Sequence, residues 1–144
     1  METKEYNINQ TAIVFVVLTA IFHILFFVVE SLLWLEPYIH ENVLSKSDSS
    51  SVDLLTQAHL METVFFNQGF YNLFLAIGLF LGLFLYKGDN KAIGFTLVAY
   101  ICTFAFGAAV VLALSAGAIA GAIVQGLPPM IALIFLYLGL SKES

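Results

Sequence analysis

Four long apolar runs dominate this chain and leave few folds open to it. They cover about residues 11–35, 63–86, 92–114 and 118–140, and each is long enough to cross the roughly 30 Å hydrocarbon core of a bilayer as a helix. Hydrocarbon offers no water to unpaired backbone groups, so each run must satisfy its own N–H and C=O groups. Composition agrees. The chain is 60% hydrophobic and 10% charged, where soluble domains are nearer half and a quarter. The expected fold is an all-α membrane protein, a single four-helix transmembrane domain over residues 1–144, with one sizeable loop at 36–59. The first run is too long for the core of a signal peptide and is read as a retained span. A formal net charge of −5 argues against nucleic acid as a partner. The lone Cys102 offers neither a disulfide nor a metal motif and reads as a packing residue.

The polar residues inside these runs are the informative ones. On a helix turning 100° per residue, Asn67, Gln68, Tyr71, Asn72 and Leu75 of the second span fall within an arc of about 140°. Gly78 and Gly82 continue that side, while Phe66, Phe70, Phe74, Ile77, Phe80 and Phe84 fall on the other. The pattern predicts an amide and glycine face turned into the bundle and an aromatic face turned to lipid. Any one amide taken alone is better read as interhelical glue; the group, together with the polar residues of the other spans, points to a site.

On the first span Thr19, His23, Phe26, Glu30 and Trp34 lie on one stripe within about 80°. Glu30 carries the most weight, because a carboxyl in hydrocarbon must be protonated or paired and marks function by default. His23, about 10 Å away along the axis, has a bland reading as a buried histidine bonded to a neighbouring helix, and Trp34 one as an interface-belt aromatic. On the third span Thr96, Tyr100, Thr103 and Gly107 share a packing face from which Tyr100 could reach a site. On the fourth, Gly117, Gly121, Gln125, Pro128 and Ala132 form a stripe, and Pro128-Pro129 should kink the helix beside Gln125.

The loop holds a Ser-rich run, Ser45 to Ser51, expected to be flexible. A short amphipathic helix from Ser51 through Met61 leads into the second span, with Ser51 as N-cap and Asp53 in the first turn. His59 and Glu62, one turn apart, are too few to make a metal site and read as a solvated surface pair. Lysines order the topology. Lys4, Lys87, Lys91 and Lys142 lie on one side of four alternating spans and Lys46 on the other, which puts both termini in the cytoplasm. Glu30, Trp34, Asn67, Gln68, Tyr71, Asn72, Gln125 and Pro128 then share the outer half of the bundle, with His23 as the floor of a pocket partly covered by the 36–59 loop.

Three segments carry a family resemblance: His23 followed by Glu30-Ser31-Leu32-Leu33-Trp34, then Asn67-Gln68-Gly69-Phe70-Tyr71-Asn72, then Gln125-Gly126-Leu127-Pro128. In that order, and across almost the whole chain, they resemble the small four-span membrane proteins grouped as domain of unknown function 1304. The chain departs from that pattern in its longer Ser-rich loop, in Pro129 and in its third span. The resemblance implies a four-span fold and the same site residues; it supplies no activity.

Three functions fit these residues. The leading one is a multi-pass protein of the cell membrane whose pocket binds a small apolar molecule or lipid. Glu30, with His23 as a second proton carrier, would act on the ligand by acid/base chemistry. Asn67, Gln68, Asn72 and Gln125 would then orient the ligand, and Trp34, Tyr71 and Tyr100 would wall the pocket. The second is a proton-coupled transporter working as an oligomer; the third is an accessory or structural subunit whose glycine stripes bind a partner or a second copy. No nucleophile–base pair, phosphate loop or metal cluster is legible, and no cofactor is identified beyond the minor option of a haem on His23 or His59.

Overall fold

The computed structural model describes residues 6–44 and 51–141. Nearly all of the Ser-rich run, Ser45 to Ser50, lies outside the described residues. Helices make up almost all of the rest: α1 (Gln10–Phe27), which continues into a π turn (Val28–Leu32), then α2 (Pro37–Leu44), α3 (Leu54–Lys87), α4 (Lys91–Ala116) and α5 (Ile119–Ser141). Four are long and apolar enough to cross a membrane: Gln10–Leu32, Leu54–Lys87, Lys91–Ala116 and Ile119–Leu140. The protein is a four-span, all-α membrane protein.

The boundaries follow local chemistry. Asn9 caps α1, its side-chain oxygen accepting the Ala12 N–H at 2.8 Å. Asp53, not Ser51, caps α3: its carboxylate accepts the Thr56 N–H at 3.0 Å and the Thr56 hydroxyl at 2.7 Å. A carboxylate accepts both bonds and favours the positive end of the helix dipole, which a hydroxyl two residues earlier cannot match. The amphipathic segment and the second span are therefore one helix of 34 residues. Gly117 ends α4 in the left-handed region at φ 62°, where a Cβ would be strained. Span 1 stops at Leu32, three residues earlier than the apolar run suggests, because Leu33 leaves helical geometry at φ −116°, ψ 8°. Pro128 and Pro129 sit inside α5, which runs on through both.

The chain forms two compact units. One combines the residues up to Phe22 with those from Leu75 onward. Its helices touch at glycines and alanines. A Cβ on Gly94 would strike the backbone of Tyr86 and the carbonyl of Gly82, and one on Gly82 would lie 2.8 Å from Val98. A Cβ on Gly126 would meet Ala109 at 2.8 Å. Close approach gathers dispersion contacts where lipid leaves little hydrophobic drive between helices. The segment before α1 is tied down by polar bonds: the Ile8 N–H donates to the Tyr86 hydroxyl at 2.8 Å, and the Asn9 amide donates to the Phe135 carbonyl at 3.1 Å. Cys102 is fully buried in this unit, as a packing residue would be.

Two outcomes are expected. Gly94→Ala forces backbone apart and should cost about 1–3 kcal/mol, whereas Gly107→Ala, with nothing within 4 Å of the new methyl, should stay within about 0.5 kcal/mol of wild type; unfolding titrations in mixed detergent–SDS micelles measure both. The bonds from the Thr56 N–H and then the Thr56 hydroxyl hold the Asp53 carboxyl below its ordinary range. A depressed folded pKa means that the cap stabilises α3 above the unfolded value near 3.9 and is lost as pH falls through the lower folded value. Hydrogen exchange at residues 54–57 should quicken on acidification relative to the exchange chemistry itself, and Asp53→Ala should remove that pH dependence.

Candidate functional site

The second compact unit, His23 to Phe74, holds most of the candidate residues. It is built by the end of α1, the π turn, α2 and the first two-thirds of α3. In the π turn the Leu33 N–H reaches back five residues to the Val28 carbonyl at 3.0 Å. One extra residue is thereby accommodated in the turn that carries Glu30 and Ser31. Single π turns inside α-helices recur at functional positions.

Three contacts hold this turn against α3. The Asn72 amide donates to Glu30 Oε2 at 2.8 Å. The Ser31 hydroxyl donates to the Phe66 carbonyl at 2.7 Å. Gly69 lies against the Ser31 hydroxyl, and a Cβ there would also be 3.0 Å from the Ser31 nitrogen and 3.1 Å from the Phe27 carbonyl. Glycine at 69 is what lets the two backbones come this close. Phe27 and Phe70 flank the contact edge-to-face, with ring centroids 5.1 Å apart.

Beyond the π turn the chain folds back. Trp34 is 3% exposed, and its indole N–H donates to the Ala58 carbonyl at 2.8 Å. Its ring stacks on Phe65 with centroids 3.6 Å apart. Trp34, Leu44 and Ala58 form a small core, with Ile39, Leu54, Met61 and Phe65 packed on it, so α2 is anchored to the first turns of α3. Between the π turn and α3 lies a small recess of about 120 Å³, with Glu30, Ser31, Trp34, Glu62 and Phe66 among its walls.

The remaining candidates are distributed unevenly. Asn72 is buried, but Asn67, Gln68 and Tyr71 are exposed, and the Asn67 amide donates locally to the Thr63 carbonyl at 3.0 Å. The buried stripe of α3 runs through Gly69, Asn72, Ala76, Leu79 and Leu83. It is turned away from the expected amide arc because Gly69 and Ala76 are the small residues that permit close approach. His23 is fully buried and meets Phe26 edge-on at 6.0 Å. Trp34 has left the helical stripe on which the sequence put it, since the π turn and Leu33 break the 3.6-residue phase. Tyr100, on α4, is exposed, and Gln125, on α5, is half-buried; both belong to the other unit.

Three features escape a reading of the sequence. Ser31, Phe66 and Gly69 act as one contact, for which the adjacent Glu30-Ser31 and the glycine among amides are the available signal. Glu62 lines the recess, while its place 3.6 Å from His59, with both side chains more than half exposed, is the surface pair that their spacing predicts. His40, on α2, is buried, and its Nδ1 meets no hydrogen-bond partner among the described residues. No group of three or more metal-ligating side chains occurs among the described residues.

The chain matches the family described as "Protein of unknown function (DUF1304)" over residues 17–137. It belongs to the DUF1304 family. Comparison with curated proteins and with solved structures finds no match. The matched residues take in the π turn, the recess and nearly all of the four spans of this DUF1304 protein, so the contacts around Glu30 and Ser31 lie within the family's own extent.

The Gly69–Ser31 contact predicts a specific energetic coupling. Gly69→Ala should destabilise the protein by about 1–3 kcal/mol. Ser31→Ala in the same chain should return part of that loss, because it removes the atom nearest the added methyl. A double-mutant cycle by detergent unfolding should therefore give a coupling on the order of 1 kcal/mol; additive losses would show that the two residues do not meet.

Proposed function

We propose that this DUF1304 protein is a binding protein of the cell membrane that takes a lipid or another small apolar molecule at the recess beside Glu30. In this reading the site lies in the outer half of the bundle, with both termini cytoplasmic. One observation carries it: a carboxyl in a π turn, held by the Asn72 amide, on the wall of a recess. A carboxyl in an apolar span that is kept only for packing is costly, whereas one that meets a ligand has a reason to be there.

The chemistry of the walls supports the same reading. Asn72 bonds one carboxylate oxygen and so orients the other. Ser31 holds the π turn in place through Phe66, and Trp34 and Phe66 give apolar surface. Glu30 is the group that would exchange a proton with a bound molecule in any acid/base step.

Native mass spectrometry of the protein gently extracted from its own membrane tests this directly, wild type beside Glu30→Gln. The expected result is a reproducible bound mass in wild type that is lost or much reduced in the variant. The same spectrum from both, with or without an adduct, would remove Glu30 from the site.

A further inference from the structure

We propose that the group seated in this recess is an ammonium, either the head group of a choline or ethanolamine lipid or a free amine. The inference rests on the reading of the recess as a binding site and adds the chemical class of what enters it.

Charge is the first argument. Residues 23–74 contain Glu30, Glu36, Glu41, Asp48, Asp53 and Glu62 against Lys46, with His23, His40 and His59 counted as neutral. Elsewhere Glu2, Glu5, Asp89 and Glu143 are matched in number by Lys4, Lys87, Lys91 and Lys142. The whole formal net charge of −5 therefore sits in the stretch that forms the recess. Two of its carboxylates, Glu30 and Glu62, are on the recess wall itself. An anion is repelled there, and a neutral group gains at most a hydrogen bond of the kind the Asn72 amide makes to Glu30, without the Coulomb attraction that a cation adds.

Depth is the second. Glu30 is about 30 Å of helix rise from Gln10, the start of α1, which matches the thickness of the hydrocarbon core. Phe66 and Glu62 are about 31 and 37 Å of rise from Lys87, the end of α3. By residue count along the sequence, Glu30 and Glu62 thus fall near one end of the first and second apolar runs, the ends that the 36–59 loop joins and where lipid head groups lie.

The walls are the third. Trp34 and Phe66 stand beside the carboxylates, and aromatic rings with carboxylates are the surroundings in which substituted ammonium groups are held. A calcium ion wants six to eight oxygen ligands, which two carboxylates and a hydroxyl do not supply. A recess of about 120 Å³ is on the scale of a small head group rather than of a whole lipid.

Trp34 is the only tryptophan in the chain, so its fluorescence reports on the recess without a label. Choline and its neutral isostere 3,3-dimethyl-1-butanol are titrated into the protein in maltoside micelles. Choline should give a saturable change and the alcohol none. Binding should weaken by about tenfold or more in Glu30→Gln and in Glu62→Gln. Glu62, with a largely exposed side chain, serves if Glu30→Gln fails to fold. A second titration in nanodiscs separates the two sources. A lipid head group already seated in phosphatidylcholine discs leaves choline active only in phosphatidylglycerol discs, whereas a free-amine site responds alike in both. An equal response to choline and the alcohol overturns the ammonium while leaving a ligand site at Glu30. A response to neither, in micelles and in both discs, also overturns it, and the mass spectrum of the extracted protein then decides separately whether the recess binds anything.

Discussion

Backbone hydrogen bonding in hydrocarbon is the constraint on which this structure depends. The N–H and C=O groups of a span must find partners inside the protein, nearly all of them within the span itself, which makes four helices the outcome of four apolar runs. Side chains then matter mainly through how near they let those helices come. Where α3 meets α4, Gly82 and Gly94 put backbone against backbone; where α5 meets α4, Gly126 faces Ala109. The Gly94 approach leaves little room for adjustment, because the atoms it meets are backbone rather than the ends of flexible chains.

The π turn is a local departure from that regularity. It adds a residue to one turn and so rotates the residues after it, which takes Trp34 off the α1 stripe and into the core beneath α2. Contacts with α3 hold the irregular turn: the Asn72 amide on Glu30, the Ser31 hydroxyl on the Phe66 carbonyl, and Gly69 making space for Ser31. The same contacts leave a carboxyl beside a small recess. A structural device and a candidate binding site are thus built from one set of residues.

Legibility in the sequence is uneven for physical reasons. The spans are readable because hydrophobicity over twenty or so residues is an additive signal that no single contact overrides. Glu30 and Asn72 are readable as residues that must be partnered, because polar side chains in hydrocarbon need partners, though not as partners of each other. The N-cap is Asp53 rather than Ser51 because two acceptable caps compete and the carboxylate makes the stronger bonds. The amides of α3 suggest one inward face, but small residues decide close packing, so Asn67, Gln68 and Tyr71 lie on the exposed side.

The sequence by itself determined that this chain crosses a membrane four times, that its net negative charge lies between residues 23 and 74, and that Glu30 is out of place in an apolar run. These are properties of residue types and their order, and transfer free energy acts on them directly. Only the tertiary structure decided that Glu30 is bonded to Asn72, that Ser31 and Gly69 share one contact, and that Trp34 packs on Phe65 rather than lying along the first span. Those outcomes turn on a single extra residue in one helical turn and on backbone separations set by glycine, neither of which leaves a trace in hydrophobic periodicity.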